Sequence, residues 1–276
     1  DIQKVWSECP NHHLLVGGFP CQDYSVARTV SGEMGIKGEK GKLWTYIKKI
    51  VGLRRPPLVL LENVPRLLNS PSRQRGLNFA KIVNDLVRMN YDVEWRVIDA
   101  SEYGMAQSRS RVFILAYSRP DRSAERKNES RRYGMNLPGN HARASRWLLS
   151  SGPFAEKFPV SNKEIGDLHD LPRVGTKLIQ GEWSGKTSIF KNSGYAFKHR
   201  PVDENGRRRT KYEFWTFKAM PDYSGEKMNL GQILEEDFDK EYEIDASRMD
   251  EWRYAKGTKN EFRLRSKDRG NVKDRD

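Results

Sequence analysis

HLLVGGFPCQDYS, residues 13–25, is the stretch of sequence that decides the fold. Its first part, His13 to Gly17, predicts a buried strand, because a short apolar run that ends in glycine is typical of one. The residues that follow, to Ser25, carry Cys21 directly after Pro20. In parallel α/β sheets, catalytic groups collect where the strands end. Cys21 is therefore a candidate nucleophile, and the alternative is a buried structural cysteine.

The residues up to 118 alternate between strand and helix patterns. Apolar spacing predicts helices over residues 43–53 and 79–89, and Pro56-Pro57 ends the first of them. Apolar runs predict further strands over residues 58–61, 93–98 and 112–117. This order predicts an α/β fold with a mostly parallel sheet covered by helices.

Two more polar motifs adjoin predicted strands. Glu62 directly follows an apolar strand, so it is a candidate general acid, although a helix-capping or salt-bridged glutamate would give the same pattern. Arg109 and Arg111 precede a strand, and their i, i+2 spacing puts them on the same side of an extended chain. They could grip a phosphate or a base carbonyl, or they could belong to an exposed basic loop.

The composition bounds the class of protein. The 276 residues fit one large or two smaller domains. A formal net charge of +13 favours a polyanionic partner, without separating DNA from RNA or an anionic membrane. The two cysteines, Cys9 and Cys21, form no disulfide framework and favour a reducing cytoplasm. No apolar run approaches the roughly 20 residues of a membrane span, and the N-terminus lacks a secretory signal pattern.

Three motifs together resemble the DNA cytosine-5 methyltransferase family. Gly18-Phe19-Pro20-Cys21-Gln22 resembles the family's Pro-Cys-Gln nucleophile motif, and Glu62-Asn63-Val64 resembles its Glu-Asn-Val motif. Gln107, Arg109 and Arg111 match its Gln-x-Arg-x-Arg motif in order and spacing. Weaker family elements are matched by Asp1-Ile2, Gly41-Lys42-Leu43-Trp44 and Ile98 to Gly104.

This resemblance covers residues 1–118 closely and implies a partial Rossmann-like sheet of the S-adenosylmethionine-dependent methyltransferase kind. In this family a variable target-recognition region follows the arginine motif, and residues 119–276 occupy that place. We set the boundary near Arg119-Pro120, where a charge-rich run begins. The second part is mixed and loop-rich, with a short helix predicted over residues 231–236 and an almost wholly polar tail from Lys256.

The resemblance also implies a reaction, in which a methyl group passes from S-adenosylmethionine to C5 of a cytosine flipped out of double-stranded DNA. Cys21 would add to C6 of the base, Glu62 would hydrogen-bond its N3 and amine, and Arg111, with Arg109, would hold the base carbonyl or Glu62. The implied cofactor contacts are Asp1, Ile2, Pro20 and Leu43. The implied substrate or DNA contacts are Gln22, Ser25, Asn63, Val64 and Gln107. A bacterial or phage modification enzyme, as in a restriction–modification system, is the expected setting.

Some family elements have no match in this sequence. They are the Phe-x-Gly-x-Gly turn and the acidic residue that hold the cofactor, and the late Arg-Pro-x-x-Thr and Gly-Asn-Ser-Val elements. We therefore expect a fragment that binds the cofactor poorly by itself, either because the sequence is a partial record or because a second chain supplies the rest. Its sheet would expose an unpaired edge.

A basic triplet in the second part, Arg207-Arg208-Arg209, lies near Tyr212, Phe214 and Trp215. Arg207 and Arg208 are candidate contacts to DNA backbone or bases. A solvated loop beside a cluster of core aromatics would give the same pattern. The sequence does not separate the two interpretations.

Three alternatives of other classes remain. Cys9, His12, His13 and Cys21 are close in sequence, but the paired spacing of zinc sites is absent, so no metal is predicted. A non-catalytic DNA-binding subunit would not need the intact Cys21, Glu62 and Arg111. A tRNA cytosine methyltransferase shares the same motifs, but its Cys-Phe-Thr element has no counterpart here.

Overall fold

A computed structural model of the protein describes residues 1–19, 43–71, 74–119, 137–172, 188–234 and 245–249. They form one seven-stranded sheet with short helices. In chain order the main elements are α1 (Ile2–Val5), β1 (Leu14–Gly18), α2 (Leu43–Arg54), β2 (Leu58–Asn63), α3 (Leu77–Arg88), β3 (Tyr91–Asp99), β4 (Ser110–Ser118), α4 (His141–Arg146), α5 (Pro153–Lys157), β5 (Leu168–Asp170), β6 (Ser193–His199) and β7 (Lys211–Phe217). The α/β class predicted from the sequence is confirmed.

Shorter helical segments lie between these elements. The 3-10 helices are Trp6–Glu8, Pro65–Asn69, Ala100–Tyr103, Leu230–Gln232 and Ala246–Arg248, and a π-helical turn spans Trp147–Ser151.

Helices α2 and α3 confirm the two helices predicted from apolar spacing. The apolar face of α3 is fully buried, including Phe79, Ile82 and Leu86, and it joins the main core of the sheet. The two helices are also tied by a polar contact, since Trp44 Nε1 on α2 donates to Asp85 Oδ2 on α3 at 2.9 Å. Both helices therefore form where the 3.6-residue period places an apolar stripe.

The strands are arranged in the order β1-β2-β4-β3-β6-β7-β5. Among the six pairings between described strands, β1 with β2 is parallel and the other five are antiparallel. The prediction of a mostly parallel sheet is therefore wrong for this part of the chain. The reason is the length of the connections, because residues 100–109 and 200–210 are too short for a parallel crossover and reverse the chain instead.

Strand β1 lies at one end of this sheet and was predicted to be buried. Leu14 is 48% exposed and Val16 is 63% exposed, so that prediction is wrong for one face of the strand. Among the described strands, β1 pairs only with β2, through Leu14–Leu58 to Gly18–Glu62. An apolar run in a strand is buried on both faces only where other elements cover both faces of the sheet.

The sheet continues beyond residue 119. Strand β6 pairs with β3 from Val93–Ala196 to Arg96–Ser193, so residues on both sides of the proposed boundary build the same sheet. Gly194 lies opposite Trp95, and a Cβ added to it would lie 2.3 Å from Trp95 Cζ2. The rings of Phe79 and Phe190 meet edge to face with centroids 4.9 Å apart. The two parts therefore share one apolar core.

A buried polar network on β3 also joins the two parts. Glu94 and Arg96 are both fully buried. Glu94 Oε2 accepts hydrogen bonds from Tyr117 Oη and Trp147 Nε1, each at 2.9 Å. Arg96 Nη1 donates to the carbonyl of Phe158 at 2.8 Å. Burial raises the pKa of the Glu94 carboxyl and lowers the pKa of the Arg96 guanidinium. The charge of Arg96 partly offsets the shift at Glu94, and the charge of Glu94 partly offsets the shift at Arg96.

The chain divides into two compact units, Asp1–Asn229 and Leu230–Asp276. In the second unit the described residues form the two 3-10 helices Leu230–Gln232 and Ala246–Arg248. The start of the helix predicted over residues 231–236 is thus a 3-10 turn, and residues 235 and 236 lie outside the described residues. The polar tail from Lys256 also lies outside them. No helix in the described ranges has the length and apolar character needed to cross a membrane.

Candidate active site

Glu62 and Arg111 form an ion pair at one end of the sheet. Glu62 is near the end of β2 and Arg111 near the start of β4, and antiparallel pairing of these strands sets Glu62 opposite Phe113. Because residues two apart point to the same face, Arg111 reaches the carboxylate, with Nε 2.7 Å from Glu62 Oε1. The Arg111 side chain is 24% exposed and the Glu62 side chain is 35% exposed. The pair is therefore open to a ligand and at the same time fixed by two neighbouring strands.

The chain that leads to Cys21 is fixed to the same strand end. Gly18 pairs with Glu62, and a Cβ added to Gly18 would lie only 3.3 Å from Glu62 Oε2. Asn63 is buried, and its Nδ2 donates to the carbonyl of Phe19 at 3.0 Å. Its Oδ1 accepts from the backbone N–H of Val64 at 2.9 Å. Residue 19 is thereby tied to the residue that follows Glu62.

Four of the residues implied by the family resemblance lie outside the described residues. They are Pro20, Cys21, Gln22 and Ser25. Asn63 and Val64 were assigned to substrate or DNA, but the Asn63 side chain bonds to the backbone of Phe19 and of Val64 itself. This bridge between two strand ends was not anticipated from the sequence, because an asparagine after a glutamate gives no local sign of its partner.

The loop that carries the other arginine is ordered by its own contacts. Hydrogen bonds from Ser101 and Ser110 hold the pKa of Asp99 below its usual range, and the backbone N–H of Ala100 donates to the carbonyl of Arg109. Arg109 and Gln107 are exposed. Within the described ranges the Arg109 side chain has no ion pair. The structure thus joins Arg111, and not Arg109, to Glu62.

A segment from the second part of the chain rests on this loop. The backbone N–H of Met228 donates to the carbonyl of Gly104 at 2.8 Å, and the rings of Tyr103 and Tyr223 meet with centroids 6.3 Å apart. Gly104 has φ +88°, and a Cβ there would lie 2.6 Å from both the Glu226 carbonyl oxygen and Tyr223 Cε1. Sequence reasoning missed this contact, although a glycine just before the arginine motif is a sign of close approach.

We expect Gly104→Ala to lower the free energy of unfolding by about 2–4 kcal/mol, because the new methyl group is strained in φ and overlaps two neighbours. Urea unfolding of the purified chain would measure the loss. Gly206→Ala is the matched control, since Gly206 has φ +73° and nothing within 4 Å, so only the backbone cost of about 1 kcal/mol applies. Equal losses in the two variants would contradict the tight docking of Tyr223 and Glu226.

The residues implied for the cofactor lie at the start of α1 and α2. Asp1 is exposed, and its Oδ1 caps α1 by accepting from the Gln3 backbone N–H at 3.0 Å. Ile2 and Leu43 are half-buried, and Ile2 packs against the main core. One carboxylate oxygen beside a half-buried apolar side chain fits the adenine end of S-adenosylmethionine, whose amine donates hydrogen bonds.

Arg207 and Arg208 lie far from the Glu62–Arg111 pair. They belong to the connection between β6 and β7, and both are exposed. Strand β6 runs antiparallel to β3, with Ser193 opposite Arg96, whereas Arg111 is opposite Ile98. The start of β6 is therefore near the end of the sheet that holds the Glu62–Arg111 pair, which we call the catalytic end for its proposed role. The far end of β6, with the connection to β7, points the opposite way.

The metal alternative finds no support among the described residues, which contain no cluster of three or more His, Cys, Asp or Glu side chains suited to a metal ion. Cys9 Sγ lies 3.8 Å from His12 Nδ1. Cys21, the other cysteine of that alternative, lies outside the described residues.

The known proteins to which this chain is similar are methyltransferases. Residues 1–271 match the family model described as C-5 cytosine-specific DNA methylase. The chain is similar to the type II methyltransferase M.Sau3AI of Staphylococcus aureus, with 36% identity over 89% of this chain and 53% of that protein. It is also similar to the type II methyltransferase M1.ScrFI of Lactococcus lactis subsp. cremoris, with 30% identity over 70% of this chain and 43% of that protein. The chain spans about half the length of these relatives.

Among solved structures, the chain is similar to the Entamoeba histolytica methyltransferase EhMeth, with a TM-score of 0.34 and 18% identity. The match covers 73% of this chain and 58% of that one.

Proposed function

Because the chain belongs to the C-5 cytosine-specific DNA methylase family, we propose that it carries the base-binding part of an enzyme that methylates C5 of cytosine in double-stranded DNA. The observation that carries the proposal is the Glu62–Arg111 pair, whose Nε–Oε1 distance is 2.7 Å. A carboxylate held by a cation and still partly exposed can accept a hydrogen bond from a base, and its protonated form can donate one. Its relatives named as type II methyltransferases favour a modification enzyme of that type.

Cys21 is the proposed nucleophile. C5 of cytosine is a weak nucleophile, and addition of the Cys21 thiolate to C6 makes C5 enamine-like. S-adenosylmethionine, when bound, supplies the methyl group that C5 accepts. A base then removes the C5 proton, and the C6–sulfur bond breaks to release Cys21 as a thiolate. Support comes from Phe19, two residues before Cys21. Its carbonyl accepts a hydrogen bond from Asn63, the residue that follows Glu62.

Glu62 and Arg111 have complementary proposed roles. Glu62 hydrogen-bonds N3 and the exocyclic amine of the flipped base and offsets charge that builds in the ring. Arg111 keeps the carboxylate oriented, and Arg109, which has no ion pair in the described ranges, is available to the base carbonyl or a phosphate. Gln107, Gln22 and Ser25 are further proposed contacts to the DNA.

The proposed cofactor contacts involve only this chain's own groups. Asp1 would accept a hydrogen bond from the adenine amine, and Ile2 and Leu43 would cover the purine. Pro20, outside the described residues, is a further proposed contact. These residues would contact the adenine end of S-adenosylmethionine.

The test measures methyl transfer from labelled S-adenosylmethionine to unmethylated genomic DNA and, in parallel, to tRNA. The protein is supplied with a segment that carries the Phe-x-Gly-x-Gly turn and the acidic residue that its sequence does not match. We expect label at C5 of cytosine in DNA, and with 5-fluorocytosine DNA a denaturant-stable adduct, because fluorine at C5 cannot leave as a proton. Cys21→Ser should abolish both. Label in tRNA alone, or no label in either nucleic acid, would overturn the proposal; transfer to DNA without an adduct would overturn the covalent route.

A further inference from the structure

The connection between β6 and β7, residues 200–210, has a well-defined turn that we call the hairpin tip. Val202 and Arg208 form an antiparallel bridge. Asp203 Oδ1 accepts from the backbone N–H groups of Asn205 at 3.1 Å and Arg207 at 2.8 Å. Gly206 takes the left-handed conformation, with φ +73°. The tip is therefore an ordered turn between two core strands. Its arginines are exposed beside the buried Phe214 and Trp215, as the solvated-loop interpretation also expects.

The charge of the tip is strongly positive. Six basic residues lie on it and on the adjoining strand ends: Lys198, Arg200, Arg207, Arg208, Arg209 and Lys211. The acidic residues of the tip are Asp203 and Glu204, and Glu213 follows on β7. Asp203 pairs with Arg209 at 3.3 Å, and Glu213 lies 3.6 Å from Lys211. Arg207 and Arg208 are exposed and have no acidic partner in the described part of the chain. Two neighbouring guanidinium groups without a carboxylate fit phosphate oxygens.

The register of the sheet fixes where the tip lies. Arg111 is level with Ile98, whereas Val93 is level with Ala196, so the end of β6 lies about eight residues from the catalytic end. At 3.4 Å per residue this is roughly 27 Å along the strands. The tip extends beyond that point, so any phosphates that it contacts lie well away from a base held at the Glu62–Arg111 pair.

We propose that the hairpin tip grips the DNA backbone outside the site of methylation, as an anchor that does not read bases. This inference rests on the proposed function for its partner, double-stranded DNA. Arg207 and Arg208 would contact phosphates, while base recognition is left to elements at the catalytic end. Backbone contacts fix orientation and contribute affinity without sequence information.

The test compares the native protein with the Arg207→Gln/Arg208→Gln double variant in binding to duplexes of about 12 to 30 base pairs at several salt concentrations. We expect the native protein to gain affinity as the duplex lengthens, and the variant to lose about tenfold or more on long duplexes only. The slope of log affinity against log salt should fall by about 2 in magnitude, because two phosphate contacts are removed. Arg143→Gln/Arg146→Gln, on α4, is the control of equal charge.

Other outcomes decide against the anchor. An unchanged length dependence and salt slope in the double variant would overturn it. A changed sequence preference in methylation would mean that the tip reads bases, and a loss confined to single-stranded RNA or to a protein partner would assign another occupant. DNA binding that depends on the tip, without any methyl transfer, would contradict the proposed function but support the contact between the tip and DNA. Methyl transfer that does not depend on the tip would contradict the anchor but support the proposed function.

Discussion

Replacing Glu62 with glutamine is expected to slow methyl transfer to DNA by about 10²- to 10⁴-fold, the range typical of a lost general acid–base group. Glutamine keeps the size of the side chain and removes the charge that Arg111 holds at 2.7 Å. The free energy of unfolding should change by about 1 kcal/mol or less, because the pair is partly exposed and screened by water. Single-turnover rates and urea unfolding of the native protein and the variant would measure both quantities.

Two further variants sharpen this test. Glu102→Gln removes an exposed carboxylate from the neighbouring 3-10 helix and should leave the rate unchanged. If Arg111 acts by orienting Glu62, the Glu62→Gln/Arg111→Gln double variant should be no slower than the slower single variant. Multiplicative losses would show that Arg111 has a separate role, and an unimpaired Glu62→Gln enzyme would remove Glu62 from the mechanism.

Arg96→Met is expected to lower the free energy of unfolding by about 3–5 kcal/mol, because it removes the positive charge that counteracts the burial of the Glu94 carboxyl. The guanidinium is fully buried, and it also satisfies the carbonyls of Phe158 and Leu148. Methionine fills a similar volume but donates no hydrogen bond. Urea unfolding would give the loss, and Arg143→Met, at an exposed position of α4, should stay within about 0.5 kcal/mol of the native protein.

The Glu94→Gln/Arg96→Met double variant separates lost charge pairing from lost packing. Glutamine still accepts hydrogen bonds from Tyr117 and Trp147, which Glu94 binds at 2.9 Å, and no buried charge remains. The double variant should therefore be more stable than Arg96→Met alone. A double variant that is less stable would mean that the carboxylate itself, and not its partnership with Arg96, stabilises this part of the fold.

Local sequence pattern was sufficient to predict the elements that hold the Glu62–Arg111 pair. The apolar run Leu58 to Leu61 predicted β2 with Glu62 at its end, and Val112 to Tyr117 predicted β4 with Arg111 before it. The pattern could not show that β2 and β4 are antiparallel neighbours. Strand pairing depends on contacts between residues about fifty positions apart, which leave no trace in either run.

The environment of β3 could not be predicted for a related reason. Asp92, Glu94 and Arg96 alternate with apolar residues, which is typical of a strand with one solvated face. All three are fully buried, because partners distant in sequence cover that face: Tyr195 donates to Asp92 and Trp147 donates to Glu94. A buried polar face is recognisable only when the donors and acceptors that satisfy it are known.

The pairing of β6 with β3 has an evolutionary consequence. A recombination event that replaced residues 119–276 with the equivalent part of a relative would cut through a continuous sheet, so the two halves cannot be exchanged as independent cassettes. The incoming segment must preserve the pairs from Val93–Ala196 to Arg96–Ser193. It must also carry glycine at position 194, where any side chain would collide with Trp95. Chimaeras designed to transfer sequence specificity should keep β6 and β7 from the same parent as β3.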